Sequence, residues 1–274
     1  TDAYLAKLNV NTRDSISMLQ ANLKASASGA GVDDLNGSIV IRDMLYVNHL
    51  DSVRTGEMRI VGENNPMAKF LAFRSQFADA EYRSRTSYKQ VVADLRSMLH
   101  NYMPTFAQAR GIYMSSSDQS VAEAGNYSLL NVNIKQANNV AGIFVPGLMV
   151  AQGSRMSFMF NPNNEQISLA ASSDYIEYGD NFISKLDLNT RNQGDSISLF
   201  VRADDIYAGR IFMPGFSIIG GMRENRINAR MRMQDTVQNM SALLGVTATL
   251  GRDSVSGIPN ATLRFTPSTI TGRG

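Results

Sequence analysis

The chain has 274 residues, a formal net charge of +2, 18% charged and 43% hydrophobic residues, and no cysteine. That length allows one large or two small domains with a sizeable core. The near-neutral charge gives no general affinity for polyanions, and the missing thiols exclude disulfides, thiolate metal sites and cysteine nucleophiles.

So sparse a charge leaves little repulsion between copies and favours association. The basic residues are lopsided: the six lysines end at Lys185, so 20 of the 26 basic residues are arginine. Arginine's planar fork suits protein interfaces, although genomic base composition gives the same bias. No apolar run nears the roughly 18 residues of a spanning helix. The opening "TDAYLAKL" lacks a basic region followed by an apolar core. Neither membrane insertion nor a signal peptide is therefore expected.

In chain order, "NTRDSISMLQANLKAS" places Ile16, Leu19 and Leu23 at helical spacing. Residues 26–37, rich in glycine and small polar residues, read as a loop. "SIVIRDMLYV" and "EMRIVG" read as short strands. "NNPMAKF" offers Asn65 as an N-cap and Pro66 as first helical residue, with Phe70, Phe73 and Phe77 as the stripe that follows. A further helix is expected from Thr86 to Tyr102, stopped by Pro104, with a short turn of helix in "TFAQAR".

Residues 115–125, "SSSDQSVAEAG", mark the expected boundary between a mainly helical region, 1–114, and a β-rich region, 126–274. Beyond it "SLLNVNI", "RMSFMF", "KLDLN", "SISLFVR" and "RINARMRM" alternate with a period of two. "TVQNMSALLG" reads as a short helix capped by Asp235. "VTATL" and "ATLRFT" read as a closing strand pair, and "STITGRG" as a fraying end.

The β-rich part carries an internal correspondence. "AGIFVPGLMVAQG" from Ala141 resembles "AGRIFMPGFSIIGG" from Ala208, and the match extends to residues 125–160 against 194–233. The expectation is a duplicated strand–turn–strand module in which Pro146 and Pro214 open equivalent turns, each followed by a glycine with positive φ. The large apolar residues beside them, Phe144 and Phe212 among them, are candidates for a core or a subunit contact.

Motifs of catalysis and of phosphate binding are absent from the sequence. His49 and His100 lie far apart. Asp174, Glu177 and Asp180 are spaced by three but lack a calcium-loop pattern. No catalytic residue, metal site or cofactor is assigned. In "RINARMRMQ" one side of a strand holds Arg226, Arg230 and Arg232 and the other Ile227, Ala229, Met231 and Met233. Nucleic-acid sheets interleave aromatics with the basic residues for stacking. None stand here, so a sequence-specific nucleic-acid partner is disfavoured, and pairing with carboxylates of a neighbouring strand or subunit is the plainer account.

The fold class expected is α+β: a helical N-terminal part, then a β-sheet or β-barrel region with an internal duplication. The function expected is a self-assembling structural subunit of a symmetric particle or tube, of the tail-tube or capsid type. It would join copies of itself and other structural proteins of a bacteriophage virion assembled in the host cytoplasm. Its interface would use Arg226, Arg230, Arg232, Phe144, Pro146, Phe212 and Pro214. The alternatives are a non-catalytic accessory subunit of a secretion or conjugation machine, and an enzyme with a fold-assembled carboxylate site such as a glycosidase.

Overall fold

A computed structural model describes residues 2–4, 17–48, 52–109, 127–193, 196–252 and 259–272. They form a sheet of seventeen strands, all of whose pairings are antiparallel. In chain order the first strands are β1 (Asp2–Tyr4), β2 (Ser17–Ser28), β3 (Asn36–Asn48), β4 (Ser52–Thr55), β5 (Met58–Asn65), β6 (Ala68–Arg74) and β7 (Ala78–Ser84). Helices α1 (Tyr88–Tyr102) and α2 (Pro104–Ala109) follow. Next come β8 (Ser128–Ile134), α3 (Asn138–Phe144), β9 (Leu148–Val150) and β10 (Arg155–Asn161). A meander closes the chain: β11 (Gln166–Tyr178), β12 (Asn181–Gln193), β13 (Ser196–Ala208), β14 (Ile211–Arg223), β15 (Arg226–Asp235), β16 (Met240–Arg252) and β17 (Pro259–Thr271).

Each long strand pairs with its predecessor and its successor. The ladder runs β2, β3, β5, β6, β7, β8, β10 and on to β17, with β4 beside β3, β9 beside β11, and β1 beside β2. β7 pairs with β8, so the sheet continues on both sides of residues 115–125, which lie outside the described residues.

The expected helical N-terminal part is overturned. Residues 17–28 are strand. Leu19 and Leu23 are four apart, a spacing that satisfies a period of two as readily as one of 3.6. The stripe of Phe70 and Phe73 is β6, where the two rings face opposite sides of the sheet. Asn65 caps, but a turn: its Oδ1 accepts from the backbone N–H of Met67 at 2.8 Å and of Ala68 at 2.9 Å. Asp235 does the same for Val237 and Gln238, and the helix expected after it is β16. "STITGRG" does not fray as a whole, since Thr269, Ile270 and Thr271 pair with β16.

The helix expected over 86–102 forms as α1. Ser87 accepts from the Gln90 N–H, and the apolar stripe of Val91, Met98 and Tyr102 is buried with Met103 and Phe160. Pro104 ends α1 and opens α2.

The expected duplication of hairpins does not form. "VAGIF" is in α3 and Pro146 sits in the turn after it, whereas Pro214 lies within β14, paired with Asp205. The glycine after each proline does take positive φ, 79° at Gly147 and 53° at Gly215, but the first closes a turn and the second bends a strand.

Candidate functional site

Cross-strand neighbours in a sheet point to the same side, so the register places side chains on its two faces. One row reads Ala25, Ile39, Ile60, Phe73, Ala80, Val132, Met156, Ala171, Leu188, Val201, Ile218, Met231 and Leu244. Thirteen strands contribute one residue each, and every residue is apolar. The next row on this face runs Leu71, Tyr82, Leu130, Phe158, Leu169, Thr190, Leu199, Gly220, Ala229, Val246 and Phe265. Its one aliphatic hydroxyl, Thr190, donates to the Ser198 carbonyl at 2.8 Å.

From Ile39 to Leu244 every member of the first row is half-buried, none buried and none exposed. At one end this face meets the core of α1 through Phe158, Ile167, Ile197, Met222 and Leu250, which are half-buried as well. This half-buried apolar strip, with no protein layer of its own away from α1 among the described residues, is called the trough below. The contrast between neighbours is direct: Ile218, facing in, is half-buried, and Ile219, facing out, is 62% exposed.

The strands bend along another row. Asp174, Lys185, Asp204 and Gly215 lie level on β11, β12, β13 and β14, where the ladder is interrupted. Lys185 has φ 50° and Gly215 φ 53°. A left-handed residue inside a strand breaks pairing and bends it. Lys185 Nζ reaches Asp174 Oδ1 at 2.7 Å, and this hydrogen bond holds the ammonium above its usual pKa. Beyond the bend the rings of Tyr175, Phe182, Tyr207 and Phe212 stack in sequence at 4.6–5.9 Å between centroids. They form a short aromatic panel at and beyond the row of Ser184, Asp205 and Pro214.

One residue along each strand, on the opposite face, Arg59, Arg74, Asp79, Asn133, Arg155, Ser172, Asp187, Arg202, Ser217 and Arg232 form a polar stretch of one row, while Phe200 and Ile219 stand in the row beside it. Here carboxylates are answered. Glu81 accepts from Arg83 at 2.8 Å and Arg74 at 2.9 Å, and those hydrogen bonds hold it below the usual carboxylate range. Arg42 and then Arg59 do the same for Glu57. A hollow of about 690 Å³ on this side is lined by Arg74, Asp79, Glu81, Arg155 and Asp187 among others.

The candidate interface residues fall in separate places. Arg226, Arg230 and Arg232 share the polar face of β15, while Met231, Ala229 and Ile227 look into the trough. The neighbouring strands answer these arginines with no carboxylate: their cross-strand partners are Arg223, Ile219 and Ser217 on β14, and Thr249, Gly245 and Leu243 on β16. Phe212 belongs to the aromatic panel and Pro214 to the bend, while Phe144 ends α3 and Pro146 follows it. Asp174 and Glu177 are engaged separately, with Lys185 and with the Tyr175 hydroxyl. Among the described residues no group of three or more His, Asp or Glu could hold a metal ion.

The trough was not read as a site from the sequence because alternation in one strand is the signature of any half-buried sheet. The signal that finds it is cumulative. Alternation persists from β5 to β17, and among the described residues only the helices α1, α2 and α3 are available as a second layer. Compared with known protein families, curated proteins and solved structures, the chain matches none.

Proposed function

We propose that the protein holds apolar chains, such as the hydrocarbon tails of amphiphiles, along its trough. The observation that carries this reading is the unbroken row of half-buried apolar residues from Ile39 to Leu244. At about 4.8 Å per strand the thirteen-residue row spans about 58 Å. From Ile39 to Leu244 its members are half-buried, and away from α1 they carry no protein layer among the described residues. Each methylene transferred into such a surface contributes about 0.8 kcal/mol before the costs of ordering the guest. The test is titration with a fluorescent fatty acid, together with mass spectrometry of apolar molecules that copurify. Val201→Asp and Ile218→Asp should abolish binding, and Arg202→Glu, on the opposite face, should not. Failure of the wild type to bind, or equal binding by all variants, overturns the reading.

The second reading is the self-assembling structural subunit. What favours it is the arginine face of β15, with no carboxylate opposite it on β14 or β16, in a chain of low charge. Electron microscopy of the purified protein tests it: rings, tubes or shells are expected, and single copies at all concentrations overturn it.

A further inference from the structure

We propose that the polar face of β14–β17 binds a small polyanion: a hydroxylated molecule carrying two or more phosphate or sulfate groups, such as a sugar bisphosphate. The site lies on the side of the sheet away from the trough and is independent of what the trough holds. It gives the arginine face an occupant other than a second copy.

Two hollows of about 790 Å³ and 320 Å³ adjoin there and share Asn228, Thr247 and Thr266 in their walls. Glycines open the larger one. Gly221 pairs with Asn228 and Gly245 with Arg230, both on the outward side of their strands, where a side chain would fill the space. At Gly245 a Cβ would collide with the Thr266 hydroxyl.

Three arginines border these hollows, Arg230 the larger and Arg226 and Arg264 the smaller. Arg226 and Arg230 stand four residues apart on β15, about 14 Å. Arg264 is level with Asn228, midway between them, and two strands away, about 10 Å. Elsewhere in the sheet Arg42, Arg59, Arg74 and Arg83 are each answered by a carboxylate. Here no carboxylate lines either hollow. Among the described residues none of the three arginines makes an ion pair, and Glu224, two residues before Arg226, is turned to Arg223 at 3.6 Å.

Like charges this close repel one another, and an oxyanion between them relieves the repulsion. Each guanidinium fork takes a phosphate or sulfate through two hydrogen bonds. The recess favours a small guest, because low-dielectric walls concentrate the field of the arginines on what lies between them. Neutral groups complete the lining. The Thr247 hydroxyl donates to Asn228 Oδ1 at 2.9 Å, which leaves the N–H groups of the Asn228 amide for a guest. The hydroxyls of Thr249 and Thr262 stand in the same wall and suit the hydroxyls of a sugar. Single-stranded nucleic acid would need stacking partners, and no aromatic residue lines either hollow.

The test is calorimetric titration with fructose bisphosphate, beside fructose and inorganic phosphate. The bisphosphate is expected to bind, phosphate to bind more weakly and fructose not at all. Arg230→Ala/Arg264→Ala should weaken the bisphosphate by about tenfold or more. Gly221→Leu should do the same with every charge in place. A Cβ there meets only the Ile197 carbonyl oxygen, at 3.4 Å, so the backbone accepts a side chain that fills the hollow. Denaturant unfolding checks that both variants are folded. Absence of bisphosphate binding overturns the inference, as does binding that either variant leaves unchanged. Two further outcomes reassign the face. Attachment to phosphatidylglycerol vesicles without bisphosphate binding gives it to a membrane surface. A fall in sedimenting mass of the arginine variant without bisphosphate binding gives it to a second copy. Each outcome is read whether or not fatty acid binds.

Discussion

Lys185 and Gly215 lie in one row of the sheet, two strands apart, and both take a left-handed backbone, with φ of 50° and 53°. Only one of them is the residue that conformation suits. A Cβ on Gly215 would stand 2.5 Å from the Gln234 carbonyl oxygen, so strain and contact oppose any side chain there. Gly215→Val should cost about 2 kcal/mol or more, read by denaturant unfolding. Lys185→Gly relieves about 1 kcal/mol of backbone strain and gives up only a solvent-exposed ion pair. It should therefore leave stability within about 0.5 kcal/mol of the wild type, or raise it. Equal losses at both positions would show that the bend does not depend on these backbones.

The arginines of β15 are expected to be silent in the stability of a single copy. Arg230→Ala/Arg232→Ala removes no ion pair to a neighbouring strand, so the unfolding midpoint of dilute protein should correspond to a change within about 0.5 kcal/mol. A larger loss would reveal packing by the arginine stems. A fall in sedimenting mass at unchanged stability would assign the face to a contact between copies.

Glu81 should show the pH dependence of a carboxylate stabilised in its ionised form. Arg83 and Arg74 lower its folded pKa below the unfolded value. Its contribution is therefore fully present above the unfolded pKa, near 4.3, and is lost as pH falls through the folded pKa. Solvent screening keeps it small, about 0.5 kcal/mol. Glu81→Gln should be destabilised by that amount at pH 7, and the difference from wild type should vanish in strong acid. A difference that persisted there would mean the loss is steric.

Ser87 closes the first turn of the helix that covers one end of the trough. Ser87→Ala should cost about 1 kcal/mol. Hydrogen exchange should place that loss in α1 rather than in the β12–β14 ladder, because the cap belongs to α1 and the ladder does not depend on it. Uniform loss across both would tie the helix and the sheet into one cooperative unit.

β8, β10, β12, β13 and β15 were legible in the sequence because they alternate cleanly, and α1 because its cap, stripe and proline stop agree. The reading failed, in both halves, where one chemistry serves two structures. Asn65 and Asp235 accept hydrogen bonds from the second and third N–H groups after them, which is what an N-cap does and also what an Asx turn in a hairpin does. Pro66 fits either. Only the partner strand decides, and a partner strand is not local information. The trough was hidden for the same reason. Val201 or Ile218 alone reads as core, and it becomes site lining only when the whole row lacks a second layer.

The ladder from β10 to β17 grows by hairpins, each strand paired with the one just before it. Contacts are therefore near in sequence, which shortens the loops that folding must close and lets the sheet zip from any point. The same arrangement makes length a countable property. Removing two consecutive strands, such as Ile211–Asp235, would bring β13 against β16 with directions and face alternation still in phase. The inner row would shorten by two places, about 10 Å. Capacity for a long guest is thus written in the number of hairpins, as the reach of a chain is in its links, and a lineage can lengthen or trim it two strands at a time without redesigning either face.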